Sequence, residues 1–308
     1  KIIILGSHGQ DGSYLVDELY ESNEIFCITK KREKKSYSIS HKNCNIIEVS
    51  SFEDTQSCIE DLILKKDIDI IVNFAAVSNV FNPWTDVNTI MNINLGIPTK
   101  ILDCISKYKK DIKFIQASSS LVFGSSDSEL CNESTERKPL FPYGVAKNAA
   151  DHLLMNYRNA GFCPNACSII LFNHESPRRG DGFFTKKIIN HALSIAKKES
   201  FQKLKVGNLD VLRDMSDARD FIKGILKVIE NEISTDYVFG SGEFTSLREF
   251  TKNVFEYYDL DYKEWIIEDQ TSARKIDTKP IRACTLKAKK LLSWEAKKIN
   301  VSRILKEL

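Results

Sequence analysis

The N-terminal segment constrains the fold of this chain more than any other part of the sequence. A β-branched apolar run, Lys1–Leu5, leads into a glycine turn at 6–12, and helical periodicity follows over Ser13–Glu21. Glycines spaced as G-x-x-G-x-x-G let a backbone turn tightly and approach a pyrophosphate, whose charge suits the N-terminus of a helix. We therefore expect a strand, a turn and a helix that bind a dinucleotide. The expected contacts are Gly6, Gly9, Gln10, Asp11 and Gly12.

Alternating strands and helices continue through the first 172 residues. Apolar β-branched runs predict strands at Glu24–Thr29, Ile46–Val49, Ile68–Phe74, Lys113–Ala117 and Ala166–Phe172. Helical periodicity lies between them at Thr55–Leu64, Asn94–Tyr108 and Tyr143–Asn159. Alternation of this kind builds right-handed βαβ units. The expected fold class is therefore α/β, a doubly wound parallel sheet of the Rossmann type.

The pattern becomes less regular after residue 172, and a second unit is expected there. Helical periodicity recurs over Phe183–Lys198 and Ser246–Tyr258, with short strands near Lys203–Val206 and Tyr237–Val238. We predict a dinucleotide-binding Rossmann domain over 1–172, completed by 210–236. The segments 173–209 and 237–308 are predicted to form a smaller α/β cap that binds the substrate.

Composition argues against several classes of protein. No apolar run approaches the roughly 20 residues that a membrane-spanning helix needs. A near balance of 44 Lys and Arg against 42 Asp and Glu leaves a net charge of +2, too small for a nucleic-acid-binding surface. The eight cysteines include no C-x-x-C pair, which fits reduced thiols better than a zinc site or a disulfide framework. We expect a cytoplasmic protein with no metal, no membrane partner and no nucleic acid.

The end of the second strand indicates which dinucleotide binds. An NAD site of this kind places a carboxylate there for the ribose 2′-hydroxyl, whereas this chain has Lys30, Lys31 and Arg32. Cations at that position suit the 2′-phosphate of NADP, so NADP is the expected cofactor and NAD the alternative. A solvated charged loop would carry the same residues. Ala75, directly after the fourth strand, is a further expected cofactor contact.

A proton-transfer pair is expected on the long helix that begins at Tyr143. Tyr143 and Lys147 lie one helical turn apart, so both side chains project from one face. A nearby ammonium stabilises a phenolate and is expected to lower the pKa of Tyr143, which would then remove a hydroxyl proton while hydride leaves for the cofactor. Ser119, near the end of the fifth strand, is expected to hydrogen-bond the reacting oxygen. Ser118 and Ser120 are its nearest competitors.

Polar residues crowd the turn after the sixth strand. The sequence FNHESPRRG contains Asn173, His174, Glu175, Arg178 and Arg179. Adjacent arginines clamp a diphosphate through charge-assisted, often bidentate, hydrogen bonds. A second glycine turn, at 206–210, is followed by Arg213 and Asp214. Both sets predict a site for an anionic substrate, and a structural salt-bridge network is the alternative for each.

Taken together, these motifs resemble the extended short-chain dehydrogenase/reductases that modify nucleotide sugars, and the GDP-mannose 4,6-dehydratases most closely. The resemblance rests on GQDGSYL (9–15), PYGVAK (142–147), LFNHESPRRG (171–180), GNLDxxRD (207–214) and SGEFTSLREF (241–250). It implies Ser119, Tyr143 and Lys147 as catalytic residues. The GDP-sugar site that it implies contains Asn173, Glu175, Arg179, Lys187, Asn208 and Arg213. It also implies a homodimer or homotetramer that assembles through the long helices.

One position departs from that family. The family's strand end reads Ser/Thr-Ser-Glu-Leu-Tyr-Gly, and this chain has SSLVFG at 119–124, with Leu121 in place of the glutamate. In the family the glutamate takes the C5 proton and helps expel the C6 hydroxyl, and a leucine can do neither. The spacing from Gly124 to Tyr143 matches the family without a gap, so realignment restores no carboxylate. Glu129, in the following loop, would have to reach back to replace it.

Three functions are compatible with these residues. The first is a 4,6-dehydratase of a GDP-mannose-type sugar with altered acid/base groups. The second is a redox-only C4 reductase, dehydrogenase or epimerase, which would keep Ser119, Tyr143 and Lys147 without the elimination carboxylate. The third is a non-catalytic nucleotide-sugar or NADP-binding protein, against which the intact pair of Tyr143 and Lys147 argues. The expected function is therefore that of an NAD(P)-dependent enzyme working at C4 of a GDP-sugar.

Overall fold

The computed structural model of the chain describes residues 1–31, 37–78, 84, 86–269, 271 and 278–308. Arg32, the third cation of the predicted NADP corner, lies outside the described residues. Most of the predicted strands and helices are present, and their bounds are as follows.

The strands are β1 (Ile2–Leu5), β2 (Ile25–Lys30), β3 (Cys44–Val49), β4 (Ile70–Asn73), β5 (Lys113–Ser119), β6 (Leu130–Cys131), β7 (Ala166–Leu171), β8 (Asn173–Glu175), β9 (Leu204–Val206), β10 (Leu212–Asp217), β11 (Tyr237–Phe239), β12 (Phe244–Ser246), β13 (Ile266–Glu268) and β14 (Arg282–Ala283). The helices are α1 (Gln10–Leu19), α2 (Phe52–Lys65), α3 (Val87–Met91), α4 (Ile97–Tyr108), α5 (Pro142–Asn159), α6 (Phe184–Ala196), α7 (Ala218–Glu230), α8 (Leu247–Glu256), α9 (Tyr262–Trp265), α10 (Leu286–Leu292) and α11 (Val301–Leu305). A π-helical turn, Asn92–Gly96, joins α3 to α4, and a 3₁₀ turn, Ser120–Val122, follows β5.

The main sheet has seven parallel strands in the order β11-β7-β5-β4-β1-β2-β3. From β1 the chain adds β2 and β3 on one side and then crosses to add β4, β5, β7 and β11 on the other. In open α/β sheets, ligands bind at the carboxyl ends of the strands, where the strand order reverses in this way. The predicted doubly wound parallel sheet is confirmed.

Helices cover both faces of this sheet, which explains why its strands are continuous apolar runs rather than alternating ones. The core on one face contains Ile2 and Ile4 and packs against α1, α7 and α10. The core on the other face contains Ile3 and Leu5 and packs against α2, α4 and α5. Burial on both faces fixes the ends of the strands rigidly, and these ends carry the predicted site residues.

The edge strand β11 changes the predicted division into domains. Residues 237–308 were predicted to belong to the cap, but Tyr237 pairs with Ile169 and Phe239 with Leu171 in the main sheet. All three residues of β11 are buried. The short strand near Tyr237–Val238 was predicted, but its pairing with the main sheet was not, and α7, which precedes it, was not predicted. We propose a dinucleotide-binding domain made of 1–172 and 210–239, with the cap formed by 173–209 and 240–308.

The cap has a hydrophobic core of its own. Helices α6, α8 and α11 and strands β9 and β13 enclose a buried cluster that contains Ile188, Phe250 and Ile304. A small sheet of β12, β10 and β8 connects this cluster to the end of β7. Nowhere in the described part of the chain is there a helix long and apolar enough to cross a bilayer. The described residues also contain no group of three or more His, Cys, Asp or Glu side chains that could hold a metal ion.

Candidate active site

A cavity of about 1170 Å³ opens at the carboxyl ends of the parallel strands, where the main sheet meets the cap. The predicted site residues that line it are Gly6, Gly9, Gln10, Asp11, Gly12, Lys30, Ala75, Ser119, Tyr143, Lys147, Asn173, Glu175, Arg179, Lys187, Asn208 and Arg213. Lys31 does not line the cavity, because successive side chains of an extended segment point to opposite sides. Sixteen of the predicted site residues therefore lie on one cavity, and Lys31 lies outside it.

The glycine turn between β1 and α1 leaves no room for side chains. Gly6 has a φ of +75°, and a Cβ there would lie 2.9 Å from the backbone nitrogen of Ala75. A Cβ on Gly12 would lie 2.4 Å from the carbonyl oxygen of Gly6, closer than real Cβ contacts come. Helix α1 begins at Gln10, and no side chain caps it, since its N-cap residue is Gly9. The bare turn and the uncapped helix N-terminus fit the pyrophosphate of a dinucleotide.

Two adjacent side chains of α1 hold the polar turn that follows β7. Gln10 Nε2 donates to the carbonyl oxygen of His174 over 3.1 Å, and Gln10 Oε1 accepts from Ser176 Oγ over 2.8 Å. Asp11 lies 3.0 Å from His174 Nε2, and His174 Nδ1 lies 2.7 Å from the carbonyl oxygen of Phe172. The turn predicted to bind the dinucleotide and the turn predicted to bind the substrate are therefore one hydrogen-bonded unit.

His174 and Asp11 form a buried ion pair within this unit. Burial lowers the pKa of His174, but the carboxylate of Asp11 outweighs burial and raises that pKa above its ordinary value. Burial raises the pKa of Asp11, but His174 and Arg179 outweigh it, so that this pKa lies below its ordinary value. Both shifts favour the charged forms. Asp11 is therefore a carboxylate neutralised by neighbouring cations, and its pairing with His174 was not predicted from the sequence.

The three predicted catalytic residues meet where β5 ends beside α5. The Ser119 side chain lies close enough to Tyr143 to act against the rise in its pKa. Lys147 Nζ donates to the carbonyl oxygen of Ala117 over 2.7 Å and lies 5.9 Å from the centre of the Tyr143 ring. Ser118 instead donates to the buried Asp151, which takes its hydroxyl away from Tyr143. Of the three neighbouring serines, Ser119 therefore has the geometry expected of a partner for Tyr143.

Burial dominates the ionisation of Tyr143 and Lys147. It raises the pKa of Tyr143 to about 12, although Ser119 and Arg179 act in the opposite direction. It lowers the pKa of Lys147 to about 8, against the attraction of Asp151. The prediction that Lys147 brings the pKa of Tyr143 below its ordinary value is therefore wrong for this structure. The free-energy cost of removing the phenolate from water exceeds the stabilisation that nearby positive charges provide.

Leu121 lies in the 3₁₀ turn after β5, beside the predicted catalytic residues. Its side chain lines the cavity and packs against a small buried cluster of Ile90, Tyr143 and Ala146. Glycine at position 144 makes this contact close, since a Cβ there would lie 2.6 Å from the carbonyl oxygen of Leu121. The position that differs from the resembling family is therefore an apolar surface of the cavity next to Tyr143.

The carboxylates near the cavity, in the part of the chain that the structure describes, have identifiable partners. Glu129, the candidate from the following loop, has a side chain that is 58% exposed and lies 3.0 Å from Arg282. It does not line the cavity, because the loop directs it to the surface. The described carboxylates that do line the cavity are those of Asp11 and Glu175.

Glu175 and Arg179 form the second buried charge pair of the site. Thr185 Oγ1 donates to Glu175 over 2.6 Å, and Arg179 Nε lies 3.3 Å from the same carboxylate. The guanidinium of Arg179 stacks 3.5 Å from the centre of the Phe183 ring. Arg179 Nε is buried and, although it lies near Glu175, the pair does not have hydrogen-bond geometry, and Arg179 lines the cavity. A cation with an unsatisfied buried donor fits an anionic ligand.

Arg178 lines the cavity beside Arg179, but its side chain is held against the first part of the chain. Its guanidinium lies between the rings of Tyr14 and Tyr37, 3.8 and 3.7 Å from their centres. One edge forms an ion pair of 2.6 Å with Asp17 on α1, and another donates to Ser13. Stacking on both faces and bonding at the edges fix this side chain against the first domain. These contacts fit the salt-bridge alternative for Arg178, and its part in a diphosphate clamp stays a prediction.

The second glycine turn contributes two predicted residues and one structural anchor. Asn208 lines the cavity and accepts a hydrogen bond from the backbone of Asp210, which shapes the turn. Arg213, on β10, also lines the cavity. The neighbouring carboxylate of Asp214 is buried and accepts from the backbone N–H groups of Ser241, Gly242 and Ala283. Asp214 therefore holds the loop after β11 and strand β14 in place.

Comparisons with known proteins agree with this site. The family model described as GDP-mannose 4,6 dehydratase matches residues 3–308. A GDP-mannose 4,6 dehydratase of Drosophila melanogaster is 33% identical over 272 residues, which cover 84% of this chain and 68% of that relative. GDP-mannose 4,6 dehydratase 1 of Arabidopsis thaliana is 30% identical over 313 residues, which cover 96% of this chain and 85% of that relative.

Solved structures show the same fold at lower identity. A dTDP-glucose 4,6-dehydratase from Bacillus anthracis, solved in complex with NAD, is 20% identical and has a TM-score of 0.83. The similarity covers 99% of this chain and 94% of that one. The family match and the sequence relatives show family membership as well as the fold, because they extend over both parts of the chain. This chain therefore belongs to the GDP-mannose 4,6 dehydratase family and is an enzyme of that type.

Proposed function

We propose that this enzyme uses NADP to oxidise and reduce C4 of a GDP-mannose-type sugar and eliminates little or no water. One observation carries the proposal. Ser119, Tyr143 and Lys147 line the cavity together, whereas Leu121 presents an apolar side chain where elimination needs a carboxylate. The two described carboxylates that line the cavity, Asp11 and Glu175, are each paired with cations.

The proposed chemistry assigns one task to each of the three side chains. Bound NADP supplies a nicotinamide that accepts or donates hydride at the sugar carbon. Tyr143 exchanges the proton of the C4 hydroxyl, and Ser119, which lies beside it on the cavity, orients the same oxygen. Lys147 places its positive charge next to the tyrosine ring and favours the phenolate form. Burial of Tyr143 and Lys147 excludes water and strengthens these interactions.

Three cations of the cavity are proposed to hold the GDP moiety. Arg179, Lys187 and Arg213 come from different elements but line the same cavity. Arg179 carries a buried Nε–H without an acceptor, which a diphosphate oxygen would satisfy. Asn173 and Asn208 add amide groups that discriminate polar edges of a base or sugar. Guanine as the base rests on the family match alone.

A second candidate function is 4,6-dehydration, as the names of the relatives state for those proteins. Membership of the GDP-mannose 4,6 dehydratase family favours it. It would require Asp11 or Glu175 to give up a cation, or a residue outside the described ones to act. A non-catalytic nucleotide-sugar-binding protein is the third candidate, and it has no need of the buried Tyr143 and Lys147.

Incubation with GDP-mannose and related GDP-sugars, with NADP or NADPH present, tests the proposal. We expect a product that differs from the substrate by two hydrogens, or by configuration at C4, and no product lighter by one water. Mass spectrometry of the nucleotide sugar measures both outcomes. Competition by GDP and UDP is the check on the base. Equal inhibition by the two nucleotides removes the guanine assignment, and an unchanged mass and configuration with every sugar favours the non-catalytic reading.

Lys30→Ala should weaken NADP binding about tenfold and leave NAD binding nearly unchanged. The tenfold loss corresponds to one charged hydrogen bond of about 1.5 kcal/mol to the 2′-phosphate, which NAD lacks. Lys30 ends β2 and lines the cavity, where the adenosine 2′-phosphate is expected. Lys31→Ala is the matched control, because Lys31 is adjacent but does not line the cavity. Titration of both cofactors by fluorescence quenching measures the effect. An equal loss for NAD and NADP in Lys30→Ala contradicts the NADP assignment.

We also infer a homodimer or homotetramer in the cytoplasm. The long helices α4 and α5 support the assembly, because Val145 and Met155 of α5 are exposed apolar side chains. Free cysteines at all eight positions support a reducing compartment. Light scattering of the purified protein measures the assembly.

A further inference from the structure

Helix α5 carries a buried carboxylate that none of the proposed steps uses. Asp151 lies one helical turn after Lys147, and its side chain is only 1% exposed. Hydroxyl groups of Ser118 on β5 and Ser168 on β7 donate to it. Arg137, in the loop before α5, donates to it over 2.9 Å. Three separate parts of the chain thus converge on one carboxylate directly behind the tyrosine–lysine pair.

Burial and the polar partners of Asp151 act on its ionisation in opposite directions. Burial is the larger effect and raises the pKa of Asp151 above its ordinary value, whereas Arg137 and the two serine hydroxyls lower it and support the carboxylate. A carboxylate that accepts several hydrogen bonds and one ion pair is the buried form that proteins tolerate. Replacement of the cluster by apolar side chains would serve packing equally well. The cluster is therefore better explained by its effect on a neighbouring group.

That neighbour is Lys147, which is 2% exposed. Its ammonium donates to the carbonyl oxygen of Ala117, and burial disfavours its charge. Asp151 is the group whose charge opposes this loss. The proposed chemistry needs the ammonium, because a neutral amine would not stabilise a phenolate.

We propose that Asp151 is a positioning residue that keeps Lys147 positively charged beside Tyr143. The consequence of this role for catalysis rests on the proposed function, whereas the effect of Asp151 on the charge of Lys147 does not. Asp151 touches neither the cavity nor the reacting atoms, so it acts through Lys147 and through no contact with the substrate.

Other charged groups face this pair from the surrounding elements. Asp236, before β11, and Arg137 act on Asp151. Arg179, from the turn after β8, lowers the pKa of Tyr143, whereas Asp11, from α1, and Asp151 itself raise it. Among the described groups, Asp151 is the one that raises the pKa of Lys147. Removal of the Asp151 charge should therefore change the pKa of Lys147 first.

The test compares two buried aspartates that resemble each other. Asp151→Asn keeps the shape of the side chain and removes its charge. Asp236→Asn is the matched control. Like Asp151, Asp236 is a buried carboxylate paired with an arginine, here Arg158 of α5, and it accepts a hydrogen bond from the backbone N–H of Ser168. Both variants should lose some stability, whereas only the first should change Lys147.

We expect Asp151→Asn to lower the pKa of Lys147 from about 8 by about one unit. An opposite charge nearby shifts a pKa by about 1–3 units, and the positive charge of Arg137 offsets part of the effect of Asp151. Carbon-13 NMR of labelled lysine side chains, with the Lys147 signal assigned by its loss in Lys147→Met, measures this without turnover. Because a protonated Lys147 is required, activity is lost as pH rises through its pKa. The alkaline limb of the pH–rate profile should therefore move to lower pH by the same amount.

An unchanged pKa of Lys147 in Asp151→Asn, or an equal fall in Asp236→Asn, overturns the proposal. If Asp151→Asn does not fold, carbon-13 NMR of the Asp151 carboxyl in the unaltered enzyme decides the question. An ionised carboxyl at neutral pH supports the proposal, and a protonated one overturns it. A lowered pKa of Lys147 in an enzyme that oxidises no GDP-sugar supports this inference and contradicts the proposed function.

Discussion

Tyr143→Phe should lower the rate of cofactor reduction by about 10²- to 10⁴-fold, the range for loss of a positioned acid or base. Phenylalanine keeps the ring, which packs with Ile90 and Ala146, and removes the hydroxyl group. The fold and the cofactor-binding turn should therefore be retained. Stopped-flow absorbance of the reduced nicotinamide, with enzyme in excess over NADP, measures the chemical step directly.

Tyr157→Phe is the matched control for this prediction. Tyr157 lies on the same helix, packs against Phe162 and does not line the cavity. Its replacement should leave the rate within about twofold, as expected for a substitution that removes no positioned acid or base. A Tyr143→Phe enzyme that binds NADP normally and still reduces it at the unaltered rate would exclude Tyr143 as the acid or base. Ser119 would then be the next residue to replace.

The cofactor half of the site was predictable because its signals are local. The glycine turn at 6–12 needs three bare positions within seven residues, and the close approaches at Gly6 and Gly12 show why a side chain is excluded there. Tyr143 and Lys147 are related by the period of one helix. In each case, neighbouring residues along the chain determine the geometry.

The substrate half was predicted less well because its chemistry depends on tertiary contacts. Arg178 and Arg179 are adjacent and identical in sequence, yet the rings of Tyr14 and Tyr37 hold the first, and Phe183 stacks on the second. No spacing rule separates them. The ion pair between Asp11 and His174 has no local signal either, because the two residues are 163 positions apart in the sequence.

Ionisation was the property least accessible from sequence. The spacing of Tyr143 and Lys147 correctly predicts their proximity, but proximity alone predicts the wrong direction for the pKa of Tyr143. Burial on both faces of the sheet decides the sign, and burial is a property of the assembled fold. The role proposed for Asp151 arises in the same way, since Arg137, Ser118 and Ser168 meet it only after folding.

The enzyme should form a C4 ketone from a GDP-mannose-type sugar without losing water, and Leu121→Glu should introduce elimination. Oxidation at C4 needs Tyr143 and its partners, which line the cavity. Elimination additionally needs a group that accepts the C5 proton and protonates the departing hydroxyl, and such a group is typically worth about 10²- to 10⁴-fold. Leu121 supplies none. Product mass after a single turnover measures the ratio of ketone to dehydrated product.

The surroundings of Leu121 favour the new carboxyl as an acid. The side chain packs beside Ile90 and Ala146, and apolar neighbours raise the pKa of a carboxyl, which keeps a proton available for the leaving hydroxyl. Leu121→Gln is the matched control, because glutamine has nearly the same shape and hydrogen bonds but transfers no proton. The glutamate variant should therefore yield dehydrated product, and the glutamine variant should yield as little as the unaltered enzyme.

The result that contradicts this prediction is specific. If the unaltered enzyme converts GDP-mannose to the dehydrated product at ordinary enzyme rates, then Leu121 does not prevent elimination and the redox-only proposal is wrong. Glu129 would still be a poor candidate, since it bonds Arg282 at the surface. Glu175 would be the first to replace, because it lines the cavity and Thr185 and Arg179 already hold it in place. Glu175→Gln would then abolish dehydration while leaving C4 oxidation measurable, which separates the two steps on one enzyme.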